Sequence, residues 1–122
     1  MIGYITLGTN DMQRAAGFYD ALLAMSGAKR TMETDAFIAW GNSPKGPMLM
    51  IHKPHDKQPA TVGNGVMVAL VVDSKAKVDA IYKKAMELGA KDEGPAGPRG
   101  ASFYAGYFRD LDGNKLNVFC MP

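Results

Sequence analysis

Only one of the 122 residues is a cysteine, Cys120. A lone thiol excludes a disulfide framework and a cysteine metal site, and it fits a reducing compartment. A marked excess of one sign of charge is also lacking. The net charge is +2 and no run of lysine or arginine stands out, which argues against a nucleic-acid partner. No apolar stretch approaches the ~20 residues of a membrane span, and no basic segment with a following apolar run opens the chain. A cytoplasmic protein without a membrane partner is expected. The rest is ordinary for one globular domain, with 47% hydrophobic and 21% charged residues, long enough to bury a core without staples. Methionine is abundant, at nine residues.

Read in order, Ile2 to Thr9 alternates like a strand. Asn10 with Gln13 three residues on makes a capping-box signal. Ala15, Phe18, Tyr19, Leu22 and Leu23 follow at helical spacing, and Gly27 can end that helix. Lys29 to Met32, Ala36 to Trp40 and Met48 to Lys53 read as strands, the last stopped by Pro54. Residues 55–65, poor in apolar side chains, read as a linker between a first module (1–54) and a second (66–122). Val66 to Val72 is a continuous apolar run, expected as a strand buried on both faces. Asp73 or Ser74 caps a second helix with Val78, Ile81, Ala85 and Leu88 on one face and Gly89 at its end. Glu93 to Ala101 is rich in glycine and proline and is expected as a long loop. Gly106 to Phe119 then reads as a hairpin around Asp110–Asn114, where Gly113 and Asn114 suit a tight turn. Past the turn, Lys115, Asn117 and Phe119 share one face, and Leu116, Val118 and Cys120 the other.

The order repeats. Tyr4–Met25 aligns without a gap on Met67–Leu88, placing Phe18-Tyr19 on Ile81-Tyr82. Phe37–Lys53 aligns likewise on Tyr104–Cys120, placing Gly46 on Gly113. The fold class expected is α+β, two tandem β-α-β-β-β modules. One copy is too small to cover its own apolar face, so the copies must pair.

This repeat, with TLGTNDMQRAAGFYDALL at one end and YFRDLDGNKLNVF at the other, resembles the vicinal oxygen chelate superfamily. That group includes glyoxalase I, bleomycin-resistance proteins, fosfomycin-resistance enzymes and extradiol dioxygenases. The resemblance covers essentially the whole chain, with Leu111 where a proline is usual. It implies a cupped, mostly antiparallel sheet around a cavity, helices outside, and a homodimer. It also implies that the metal-ligand positions of the family fall here on Tyr4, Met50, Met67 and Asn117. None of these is a good ligand for a hard divalent ion, which needs imidazole or carboxylate. No cofactor is therefore expected, and a divalent metal stays as an alternative.

The expected ligand pocket is Tyr4, Thr6, Met48, Met50, His52, Met67, Asn117 and Phe119. Tyr4 and His52 are the candidate catalytic residues, a metal-free acid/base pair. Tyr4 equally reads as a space-filling aromatic, and the methionines as an adaptable lining or as ordinary core. Asn117 reads as a hydrogen-bonder of ligand or of a neighbouring side chain. His52, His55 and Glu33 form an alternative, relocated metal site; otherwise His55 is a solvated loop residue. Arg109 reads as a turn brace, Arg99 as a loop arginine, and Asp110 and Asp112 as acceptors of turn N–H groups.

Three functions follow. The first is a metal-independent binder of a small neutral or weakly anionic molecule, since no cavity carboxylate is expected. The second is an enzyme of the glyoxalase or dioxygenase class, a lyase, isomerase or dioxygenase. The third is a dimeric interaction module with a closed pocket.

Overall fold

A computed structural model describes residues 1–122. The chain divides into two compact units, residues 1–62 and 63–122. The first unit holds β1 (Tyr4–Gly8), α1 (Met12–Ala24), β2 (Lys29–Glu33), β3 (Phe37–Gly41) and β4 (Met48–His52). The second holds β5 (Val68–Val71), α2 (Lys75–Glu87), β6 (Lys91–Pro98), β7 (Tyr104–Arg109) and β8 (Lys115–Cys120). Each unit is one four-stranded sheet, ordered β1-β4-β3-β2 and β5-β8-β7-β6. The first and last strands pair in parallel, and the other pairs are antiparallel. This is the α+β, two-module fold that the internal repeat predicts.

The helices form where apolar residues recur at helical spacing, and each lies on one face of its own sheet. α1 buries Phe18, Tyr19, Leu22 and Leu23; α2 buries Val78, Ile81 and Ala85. The two stop alike. Gly27 and Gly89 take positive φ angles of 76° and 97°, which only glycine adopts without cost. That bend lets the N–H of Ala28 reach the Leu23 carbonyl and that of Ala90 reach the Ala85 carbonyl. The α1 cap is Asp11 rather than Asn10. Its Oδ1 accepts from the Arg14 N–H at 3.1 Å, while the Asn10 side chain is engaged elsewhere. Ser74 caps α2.

Two expectations about strands change. Residues 91–98 form β6 instead of opening a long loop, because their backbone bonds to β7 and two register shifts absorb the glycines and prolines. β5 is not buried on both faces; its residues alternate between half-buried and exposed. It is an edge strand with β8 as its one partner, and α2 packs on β6, β7 and β8. No helix is long and apolar enough to cross a membrane.

Candidate functional site

In the first unit, the face of the sheet away from α1 forms an open hollow of about 690 Å³. Strand alternation builds it. Tyr4 lies opposite Met48, Thr6 opposite Met50, and Gly8 opposite His52, while Phe37 of β3 flanks His52 from the other side. All of these line the hollow, with Met32 from β2.

The facing wall comes from residues 54–61, including His55, Asp56 and Ala60. Asn10 holds this segment down. Its Nδ2 donates to the Ala60 carbonyl at 3.1 Å, and its Oδ1 accepts from the Ala60 N–H at 2.6 Å. The approach is close, since a Cβ on Gly8 would stand 3.0 Å from the Ala60 Cβ. Of the 55–65 segment, residues up to Val62 therefore belong to the first unit.

His52 is oriented by two contacts. Its ring stacks on Phe37, with centroids 5.8 Å apart and planes at 9°. Its Nδ1 is hydrogen-bonded to the Lys53 carbonyl. A carbonyl oxygen only accepts, so Nδ1 is the donor, and in the neutral ring Nε2 then carries the lone pair. Met48 is held by the Thr31 hydroxyl, which donates to its sulfur at 3.2 Å. Asp56 Oδ1 accepts from the Gln58 N–H at 3.0 Å.

Tyr4, Thr6, Met48, Met50 and His52 are thus brought together. Met67, Asn117 and Phe119 lie in the second unit and are not among the residues lining this hollow. Asn117 sits in β8 between Ala69 and Tyr107. It is 2% exposed, and its Oδ1 accepts no hydrogen bond from the protein. Phe119 stacks on Phe103 at 5.0 Å, and Met67 precedes β5 half exposed. Arg109 braces the turn, donating to the Gly113 carbonyl at 3.0 Å and to Glu93 at 2.5 Å. That bond to Arg109 holds the Glu93 carboxyl below the usual range. Arg99 donates to the carbonyls of Pro95, Gly97 and Pro98. Asp110 accepts the N–H groups of Asp112 and Asn114, which is turn construction.

Tyr4, Met50, Met67 and Asn117 do not fit a hard divalent ion. They offer a phenol, two thioethers and an amide, with no carboxylate or imidazole among them. The relocated set fails too. His52 and His55 line the hollow, but Glu33 borders a separate groove beside α1. There it pairs with Arg30 at 3.1 Å. Arg30 also pairs with Asp20 at 2.7 Å and holds the Asp20 carboxyl below its ordinary range. No three His, Cys, Asp or Glu side chains are grouped closely enough to hold a metal ion.

Met32, Phe37, Asp56 and Ala60 line the hollow without having been singled out from sequence. Phe37 was reachable by alternation, because it aligns opposite His52. The 54–61 wall was not, because its place depends on a contact between residues fifty positions apart.

A family model described as the Glyoxalase/Bleomycin resistance protein/Dioxygenase superfamily matches residues 1–118. A glyoxalase/bleomycin resistance protein from Albidiferax ferrireducens T118 is 32% identical with a TM-score of 0.92, covering 100% of this chain and 99% of its own. A family enzyme from Burkholderia phytofirmans PsJN (17% identity, TM-score 0.79, 98% of each chain) shares the fold. So does lactoylglutathione lyase from Agrobacterium tumefaciens, at 22% identity and a TM-score of 0.71, over 98% of this chain and 92% of that one. No curated protein matches. The duplicated β-α-β-β-β unit and a family match over nearly the whole chain lead to one assignment: this protein belongs to the glyoxalase/bleomycin resistance protein/dioxygenase superfamily.

Proposed function

We propose that the protein is a metal-independent binder of a small organic molecule, held in the hollow of the first unit. The observation that carries this is the hollow itself. Its volume of about 690 Å³ falls within the range of small-molecule sites, roughly 300–1,000 Å³. Its lining joins three methionines and the Phe37–His52 stack with a few polar groups. Unbranched thioethers adapt to irregular ligands. An open hollow of this size weighs against the closed-pocket interaction module. The activity of the lactoylglutathione lyase neighbour is not carried over, because the likeness at that identity is one of fold.

A second reading, metal-free acid/base catalysis by Tyr4 and His52, is favoured by one observation. The Nδ1 of His52 is hydrogen-bonded to a carbonyl, which leaves Nε2 turned to other partners, and the ring lies in the same hollow as the Tyr4 phenol. We further propose a homodimer, because β1 and β5 are sheet edges without charge or proline, and a cytoplasmic location, from the single buried thiol.

The test is methyl NMR on protein labelled at the methionine methyls, titrated with a panel of small aromatic and aliphatic compounds. Shifts at Met32, Met48 and Met50, with Met25, Met86 and Met121 unmoved, are expected. A panel that moves none of the three overturns the binder. A stoichiometric response to Ni²⁺ or Zn²⁺ that vanishes in His52→Ala overturns metal independence.

A further inference from the structure

We propose that the ligand of the hollow is a planar hydrogen-bond donor without negative charge, an aromatic amide or amidine in kind rather than a carboxylate or phosphate. This rests on the reading of the hollow as a ligand site and narrows what enters it.

Three observations converge. The first is charge. No lysine or arginine lines the hollow, and its one carboxylate is Asp56. Asp56 uses one oxygen on the Gln58 N–H, which leaves the other for a guest. The chain as a whole is positive at +2, yet the one charged side chain lining the hollow, with neutral histidines, is a carboxylate; Lys57 beside it does not line the hollow. The sequence pointed to a neutral or weakly anionic ligand because the net charge is positive and no cavity carboxylate was expected. Folding residues 54–61 against the sheet brings one in, and an anion would meet it with no lysine or arginine in the lining to compensate.

The second is hydrogen-bond polarity. Nδ1 of His52 is spent on the Lys53 carbonyl, so Nε2 is the ring atom left for a guest and it accepts. The thioether sulfurs of Met32, Met48 and Met50 are weak acceptors as well. The hydroxyls of Tyr4, Thr6 and Thr61 and the ring of His55 serve in either sense, so the groups of fixed sense, Asp56 and the thioethers, call for donors. The third is shape. Phe37 and His52 stack with nearly parallel planes, at 9°, and with Tyr4 they present aromatic rings. Such rings favour a flat partner or a cation near a ring face.

Benzamidine, benzamide and benzoate share one shape and differ in charge and hydrogen-bond sense, so they separate these terms. Each is titrated into the methionine-methyl-labelled protein, and binding is read from the Met32, Met48 and Met50 methyls alone. Benzamidine and benzamide are expected to bind at least about tenfold more tightly than benzoate. Asp56→Asn should weaken benzamidine roughly two- to fivefold, the scale of a solvent-screened ion pair, and weaken benzamide less, since it loses an acceptor but no ion pair. His52→Phe keeps the stack but removes the acceptor, and should weaken benzamide about fivefold. Benzoate binding as tightly as benzamide, or Asp56→Asn failing to weaken benzamidine, overturns this inference and leaves the binder standing. If none of the three compounds moves these methyls, this inference falls, and the binder falls with it only when the wider panel moves none of them either.

Discussion

Asn117 keeps a buried carbonyl oxygen in the middle of a strand with no donor from the protein. A buried acceptor left unmet costs about 1–3 kcal/mol, and an apolar side chain of similar shape would not bear that cost. Asn117→Leu is therefore expected to stabilise the ligand-free protein by about 1–2 kcal/mol in urea unfolding. A loss of stability instead would mean that the amide has a structural partner in solution. Tyr82 shows the opposite case of a satisfied polar group. Its hydroxyl donates to Asp92 at 2.7 Å. Burial, followed by that bond, pushes its pKa up to about 12. A raised folded pKa contributes stability below the unfolded value of about 10 and loses it as pH rises toward the folded one. Stability should thus fall between about pH 10 and about pH 12, and Tyr82→Phe should flatten that limb in melts taken across the range.

Among the elements, the Asn10 clamp is the connection on which the hollow's outer wall depends. Because Asp11 caps α1, Asn10 is released from helix duty and both ends of its amide go to Ala60. Asn10→Ala should leave α1 intact and speed hydrogen exchange over residues 55–62 by several-fold, as a segment held by few bonds opens more often. Unchanged exchange there would mean that packing against Gly8 alone holds the wall. β6 teaches a related lesson. Its prolines and glycines read as a loop, but a bulged edge strand tolerates both, and pairing with β7 outweighs local preference.

For the whole molecule, the four sheet edges fall into two kinds. β2 (KRTME) is charged, and β6 (KDEGPAGP) is charged, bulged and proline-bearing; these devices discourage strand addition. β1 (YITLG) and β5 (VALV) have none of them, and Val71 is 72% exposed. If a second copy covers these edges, Val71→Lys should shift the protein from dimer to monomer in sedimentation velocity without unfolding it. A wild-type monomer at micromolar concentration would sink the homodimer.

What the sequence determined by itself is the repeat, both helices, most strands and hence the family. These rest on apolar spacing of two or about 3.6 residues, on glycine stops and on turn chemistry, all set by neighbours within a few positions. The same alternation placed Tyr4, Thr6, Met48, Met50 and His52 on one face. The tertiary structure decided what surrounds them. It set residues 54–61 against β1 and brought Asp56 into the wall. It also sent Glu33 to Arg30 and away from the histidines, and gave His52 the carbonyl that selects its tautomer. The reason is physical: a side chain's face on a strand follows from its neighbours in sequence. The partners it meets across a cavity depend on loop closures and long-range contacts, which no local pattern encodes.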